Sequence, residues 1–230
     1  MSAARALPDP ITADPGSVDP AALDAAGFAS LAGATPEQLA DLARFETLLG
    51  DWNGRMNLVG PATLPQFWSR HAWDSAQLLP LAPDARTWAD LGAGAGFPGL
   101  VLAILLNGRA DPGGQGPRVH LVESMAKRCR FLAEVVTELA LPAQVINARA
   151  EDVKLKVDVV TARAVAPLTR LLSYAQPFMA RGARALFLKG QDAEAEIAEA
   201  RAAWRFDVDI LPSQSDPRGR ILSIERLSRA

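Results

Sequence analysis

The chain of 230 residues contains one cysteine, Cys129, and two histidines, His71 and His120. A single cysteine excludes an internal disulfide and any cysteine-based zinc site, and it fits a reducing cytoplasm. Two histidines cannot furnish a histidine-rich site, so no metal is expected. The longest apolar run, from Leu100 to Leu106, falls far short of the roughly 18 residues that a membrane-crossing helix needs. The N-terminus lacks a basic stretch followed by an apolar one, so it does not read as a secretory signal, and a cytoplasmic location is expected. Neither sign of charge dominates: 24 Lys and Arg stand against 26 Asp and Glu, a net charge of −2. That balance argues against coating nucleic acid by bulk charge, yet it leaves room for a local basic patch. With 49% hydrophobic residues, the chain can build one sizeable core.

Residues 1–34 are rich in Ala, Pro, Asp and Gly, with prolines at 8, 10, 15 and 20, and are expected to form a mobile tail with at most a short turn near Leu23 to Phe28. Order is expected from Thr35, where Thr35-Pro36-Glu37-Gln38 reads as a capping box with a first-turn proline. Leu39, Leu42, Phe45, Leu49, Trp52 and Met56 then recur at helical spacing, and a second helix is predicted over residues 65–79. Residues 35–85 are thus a helical extension to a domain over 86–230. In that domain short apolar runs, read as strands over 87–91, 119–122, 144–147, 157–161 and 184–188, alternate with helical stretches over 99–106, 125–139, 168–179 and 193–204, the pattern of a parallel sheet covered on both faces. The last two runs, around 206–211 and 220–226, are separated by a turn alone and must pair antiparallel. The expectation is an α/β, Rossmann-like fold: a seven-stranded, mostly parallel sheet ending in an antiparallel hairpin.

The strongest feature is Asp90-Leu91-Gly92-Ala93-Gly94-Ala95-Gly96-Phe97-Pro98-Gly99, placed where the first strand ends and a helix begins. Gly94, Gly96 and Gly99 match the dinucleotide fingerprint letter for letter. Two observations favour S-adenosylmethionine over NAD. Asp90, two residues before Gly92, can accept from an amino group or hold the loop, and a carboxylate there is a poor neighbour for a pyrophosphate. The chain also has no room for a second substrate domain. Glu123, at the end of the next strand, is placed to accept from ribose hydroxyls, a device common to both ligands. The turn Arg149-Ala150-Glu151-Asp152 faces the same crevice and reads either as an adenine contact or as a plain charged turn. The insert from Asn107 to Pro117 reads as a surface loop.

The segment after the fourth strand, Asp158 to Ala164, has no Asn/Asp-Pro-Pro-aromatic clamp of the kind that orients an exocyclic amine. Cys129 lies mid-helix among Lys127, Arg128 and Arg130, away from the position of a pyrimidine-attacking nucleophile, and reads as a small buried filler. An aromatic nitrogen such as guanine N7 has no proton to lose and needs alignment more than acid–base help. Lys127, Arg128 and Arg130, with Arg163, Arg170 and Lys189 near strand ends, are the candidate RNA contacts.

Together these residues resemble the bacterial small-subunit ribosomal RNA guanine-N7 methyltransferase family RsmG, also called glucose-inhibited division protein B. The likeness covers residues 35–228. It rests on Trp52-Asn53-x-x-Met56-Asn57-Leu58, Arg70-His71-x-x-Asp74-Ser75, the glycine loop with its Phe97-Pro98-Gly99 ending, Glu123-Ser124-x-x-Lys127-Arg128-x-x-Phe131-Leu132, Arg149-Ala150-Glu151, Ala162-Arg163-Ala164 and Leu188-Lys189-Gly190. The resemblance implies a class I methyltransferase fold and methyl transfer from S-adenosylmethionine to one guanine N7 of 16S rRNA, by a monomer acting on the small ribosomal subunit. It also implies cofactor contacts at Gly92, Phe97, Ala150, Glu151 and Arg163, with Glu123 on the ribose side and Asp90 and Gly94 in the loop. Phe97 replaces the family's usual leucine and Glu123 its usual aspartate, and both keep the chemistry. Arg163, Lys189, His71 and Asp74 are positioning candidates; Asp74 could pair with His71 or fix the loop above the cofactor. The rival readings are a methyltransferase for a small molecule or protein and a non-catalytic ribosome-binding module.

Overall fold

The computed structural model describes residues 23–108 and 118–230. Most of the expected tail and residues 109–117 of the expected surface loop lie outside them. Residues 23–34, however, depart from the expectation. Helix α1 (Ala25–Ala32) begins at Asp24, whose side chain accepts from Gly27 N at 2.8 Å, and it ends at Gly33 in the left-handed conformation. Phe28 is fully buried, 5.6 Å from the ring of Trp68 and 6.5 Å from that of Trp73. Phe28, buried together with Leu23 and flanked by Leu31 and Ala32 on the same core, docks this short helix between its two caps, a signal hidden by the surrounding prolines.

Helix α2 (Pro36–Met56) starts with the predicted capping box and buries Leu42, Phe45, Leu48 and Leu49. The second predicted helix is replaced by a broken path. A 3-10 turn (Pro61–Gln66), a π-helical segment (Phe67–Trp73), a single α turn, α3 (Asp74–Ala76), and a further 3-10 turn (Leu79–Leu81) follow one another. Pro65 lies inside the first of these and cannot donate to a regular helical ladder. The wider π winding turns Phe67, Ser69, His71, Ala72 and Trp73 inward together.

The sheet comprises β1 (Thr87–Leu91), β2 (Arg118–Glu123), β3 (Ala143–Asn147), β4 (Val159–Arg163), β5 (Arg184–Lys189), β6 (Trp204–Pro212) and β7 (Arg220–Arg229), in the order β3-β2-β1-β4-β5-β7-β6. The first five run parallel; β7 pairs antiparallel with β5 and β6, the expected hairpin. The helix expected over 193–204 stops at Ala200, because Trp204 already opens β6. Helices α4 (Gly99–Leu106) and α5 (Ala126–Glu138) cover one face, α6 (Leu168–Met179) and α7 (Ala193–Ala200) the other. Every residue of α4 is buried, which explains its uniform apolarity: it is wedged between the sheet and the N-terminal helices. Phe28, Phe45, Phe67 and Trp73 share a single core with Trp88, α4 and Phe131, so the helical stretch before β1 packs directly on that face of the sheet. Among the described residues no helix is long and apolar enough to cross a membrane.

If α1 belongs to this core, Phe28→Ala is expected to cost about 3–5 kcal/mol, as large buried aromatic truncations do. Urea unfolding checks this; a loss below about 1 kcal/mol would mean that α1 is not docked in solution.

Candidate active site

In the parallel part of the sheet, the strand order reverses between β1 and β4, and the crevice at such a reversal lies beyond the carboxyl ends of the strands. The register sets Asp90 beside Thr161, Glu123 beside Asn147, Arg163 beside Leu188 and Lys189 beside Arg220 along that edge. Candidate residues therefore converge there from four strands, β1, β2, β4 and β5.

Asp90 holds the loop. It is buried, its Oδ2 accepts from Gly99 N at 2.9 Å and its Oδ1 accepts from the Thr161 hydroxyl at 3.1 Å. A Cβ on Gly99 would lie 2.7 Å from that same carboxylate oxygen and 2.3 Å from Leu121, so only glycine lets α4 start this close to the sheet. Gly92 is needed for a second reason: its φ is +68° and a Cβ would sit 2.9 Å from Val165. Glu123 closes the loop from the other side. Its Oε2 accepts from Gly94 N at 3.0 Å and its Oε1 from Met125 N at 2.7 Å. Cys129 is buried as expected, its thiol donating to the Glu123 carbonyl. Ala150 and Glu151 form the 3-10 turn Ala150–Asp152 beyond β3.

Arg163 is the centre of the site. One Nη1 donates to the Arg70 carbonyl at 2.8 Å and to Asp74 Oδ2 at 3.1 Å; Nη2 lies 2.9 Å from His71 Nδ1. The guanidinium stands 4.8 Å from the Phe97 ring centre, and His71 stacks on the same ring at 4.6 Å and 15°. A guanidinium can only donate, so His71 Nδ1 accepts, and Nε2 carries the proton toward the Thr63 hydroxyl 3.2 Å away. His71 and Asp74 thus both hold Arg163, and no hydrogen bond joins them to each other. Burial, then the charges of Arg163 and Arg70, hold the His71 imidazole down at about 3, so it is neutral.

Lys189, expected among the RNA contacts and positioning residues, lines the same crevice. Its ammonium pairs with Glu196 at 2.7 Å and donates to the Ala166 carbonyl, and its side chain is only 11% exposed. Lys127 and Arg130 are exposed on α5, Arg128 lies 3.8 Å from Glu123, and Arg170 covers Tyr174. The turn between β6 and β7 is expected from the sequence, but not as part of the site. Ser215 donates to Asp74, Gln214 N donates to Gln77 Oε1 at 2.8 Å, and Asp216 pairs with Arg70 at 2.6 Å. No local pattern marks it as functional; hairpin connections are polar by default.

The residues fit S-adenosylmethionine by their donor set. The loop from Gly92 to Gly96 carries no side chain larger than a methyl, each Glu123 oxygen keeps a lone pair for a hydroxyl, and the first amides of the Ala150–Asp152 turn have no partner within the turn. Five parallel strands, a glycine loop after β1 and a closing hairpin define a class I S-adenosylmethionine-dependent methyltransferase fold. In agreement, a crystal structure of a mutant of MtNAS in complex with S-adenosylmethionine superposes with a TM-score of 0.50 at 15% identity, covering 88% of this chain and 84% of that one. The family profile described as "GidB: rRNA small subunit methyltransferase G" matches residues 38–216. A relative of that name from Caulobacter vibrioides (strain NA1000 / CB15N) is 64% identical over 205 residues, 89% of this chain and 93% of the relative. One from Paramagnetospirillum magneticum is 47% identical over 200 residues, 86% and 93% of the two chains. The chain belongs to the rRNA small subunit methyltransferase G family, and is an enzyme of that class.

The two buried titrating groups act in opposite directions on stability. Burial raises the Asp90 carboxyl to about 7, so the folded chain keeps a proton that the unfolded chain has lost from about pH 4 upward, and stability falls as pH rises to about 7. His71 is the reverse: the unfolded chain takes up a proton below about pH 6.5 that the folded chain refuses down to about 3, so stability falls as pH falls through that window. Asp90→Asn keeps an acceptor for Gly99 N, and its amide donates to the Thr161 oxygen once that hydroxyl turns away. Relative to the unmodified protein it is expected to gain stability between pH 5 and 8, by an amount bounded at about 4 kcal/mol. Parallel pH–stability curves from urea unfolding would contradict the assignment.

Proposed function

We propose that the chain transfers a methyl group from S-adenosylmethionine to N7 of one guanine in the 16S rRNA of the small ribosomal subunit, in the cytoplasm and as a monomer. When bound, the cofactor supplies a methyl group on a positively charged sulfur. Gly92 and Gly94 let the backbone approach it, Glu123 accepts from the ribose hydroxyls, the Ala150–Glu151 turn meets the adenine edge, and Phe97 with Arg163 walls the reacting end. Asp90 acts through the loop it holds, as a positioning residue.

The observation that carries the target atom is the state of the acidic and basic groups at the crevice. The groups at and beneath Arg163 that could take a proton already serve other partners: His71 Nδ1 takes Arg163, Asp74 takes Arg163 and Ser215, and Asp90 takes Gly99 and Thr161. A site arranged in this way favours an acceptor that brings its own lone pair and loses no proton, as a ring nitrogen does, and the rate then comes from alignment. A monomer is supported by the surface: among the described residues only Met125 and Ile210 are large apolar side chains standing exposed, and scattered single residues do not make an assembly face.

Small subunits, naked 16S rRNA and tRNA from a strain lacking the modification, incubated with labelled S-adenosylmethionine, are expected to yield 7-methylguanosine in the first or second and none in the third. Transfer to another atom, or to tRNA alone, would contradict the proposal.

A further inference from the structure

Past Arg163, away from the glycine loop, a cavity of about 360 Å³ opens over the far half of the sheet, near the small end of the roughly 300–1,000 Å³ typical of sites for small organic groups. Arg163 comes from β4, Lys189 from β5, Arg220 from the start of β7, Arg70 from the π-helical segment and Asp216 from the β6–β7 turn. Because the strand order reverses between β1 and β4, the tips of β1, β2 and β3 lie on one side of Arg163 and this cavity on the other. We propose that the cavity receives the target guanine and that Asp216 reads its Watson–Crick edge. This rests on the function proposed above and names a residue that sets its specificity.

A guanine whose N7 is turned toward the methyl donor directs N1–H and the N2 amino group elsewhere in the pocket, and both are hydrogen-bond donors. A carboxylate is the matching acceptor, and it repels adenine, whose N1 presents a lone pair instead. The cavity offers two carboxylates. Asp74 is the more engaged of the two: Oδ1 takes the Ser215 hydroxyl and Gln77 Nε2, and Oδ2 takes Arg163, so one lone pair remains on a group already tied to the divider. Asp216 has Oδ2 on Arg70 at 2.6 Å and Oδ1 on Arg218 N at 2.9 Å, which leaves each oxygen one lone pair; the exposed Arg218 guanidinium stands 3.8 Å from Oδ1, beyond hydrogen-bond reach. Those same hydrogen bonds, Arg70's first, hold its carboxyl below the usual range, so it is ionised and purely accepting at neutral pH.

The turn is also held rigidly enough to aim this group. Gln77 binds Gln214 N and the Ser213 hydroxyl, and Ser215 is buried against Asp74. Among the cations, Arg163 and Lys189 are engaged inside the fold, whereas Arg70 has a side chain 40% exposed and lies beside Asp216. A purine bound to Asp216 would present its O6 toward that side of the pocket.

The test uses 16S rRNA assembled into small subunits, with the target nucleotide either guanosine or inosine, which keeps N7, O6 and N1–H and lacks only the N2 amino group. On guanosine, Asp216→Asn is expected to lower kcat/KM about tenfold to a hundredfold, the effect of losing a hydrogen bond to a charged group. The unmodified enzyme is expected to fall about tenfold from guanosine to inosine, and the variant much less. Calorimetric S-adenosylmethionine binding should be unchanged, which shows that the variant is folded. Arg70→Gln breaks the ion pair but leaves the acceptor, so it should retain the guanosine-over-inosine preference whatever its activity. Unaltered kcat/KM in Asp216→Asn, an equal loss on both RNAs, or loss of the preference in Arg70→Gln would overturn the assignment. If the unmodified enzyme forms no 7-methylguanosine on any substrate, the functional reading itself fails, and the pocket falls with it; that outcome is separate from any behaviour of the variants.

Discussion

The guanidinium of Arg163 occupies the end of a central strand and is held by groups from two other parts of the chain. Its donors reach the Arg70 carbonyl, Asp74 and His71, and its face meets the Phe97 ring of the glycine loop. Through Asp74 and Ser215 the same network extends to the β6–β7 turn. The side chains of Arg163 and Asp74 are less than a fifth exposed, so removing either partner strands a charge in a poorly solvated place, a loss of about 3–5 kcal/mol in comparable buried pairs. Neutral His71 fits the same logic, because a protonated imidazole would place two cations 2.9 Å apart.

This arrangement divides the crevice. On one side the loop from Gly92 to Gly96 is shaped by two acids with different duties: Asp90 is sealed beneath it, and Glu123 faces it from β2. On the other side the walls are cationic side chains and the turn carrying Asp216. An N7 methylation needs two reactants aligned more than it needs a proton shuttled, and a rigid divider made of a planar cation stacked against aromatic surface supplies alignment.

Much of the fold could be read from residue patterns. The strand and helix alternation after Arg86 gave the sheet, and β1, α4 and α6 fall at the predicted residues, because apolar runs bounded by glycine or proline leave little choice. The misread parts are those where tertiary packing overrides the local signal. Helix α1 looks like tail by composition and is held by a buried phenylalanine, its leucine neighbours and two caps. The segment from Phe67 to Trp73 has helical spacing but winds as a π-helix, which brings His71 and the Arg70 carbonyl to Arg163. In the site, the glycine loop and Glu123 were visible as motif positions, whereas the partners of Arg70, Gln77 and Asp216 depend on contacts across more than 130 residues of chain that no spacing rule encodes.

The central claim is that Arg163 ties these elements into one cooperative unit. Native-state hydrogen exchange on the unmodified protein and on Arg163→Gln tests it most directly. The amides of 67–77 and of 213–219 are expected to lose protection together, by about tenfold or more, while those of the β2–β3 ladder stay unchanged. Loss of protection confined to the end of β4, with the turn and the π-helical segment still protected, would contradict the account.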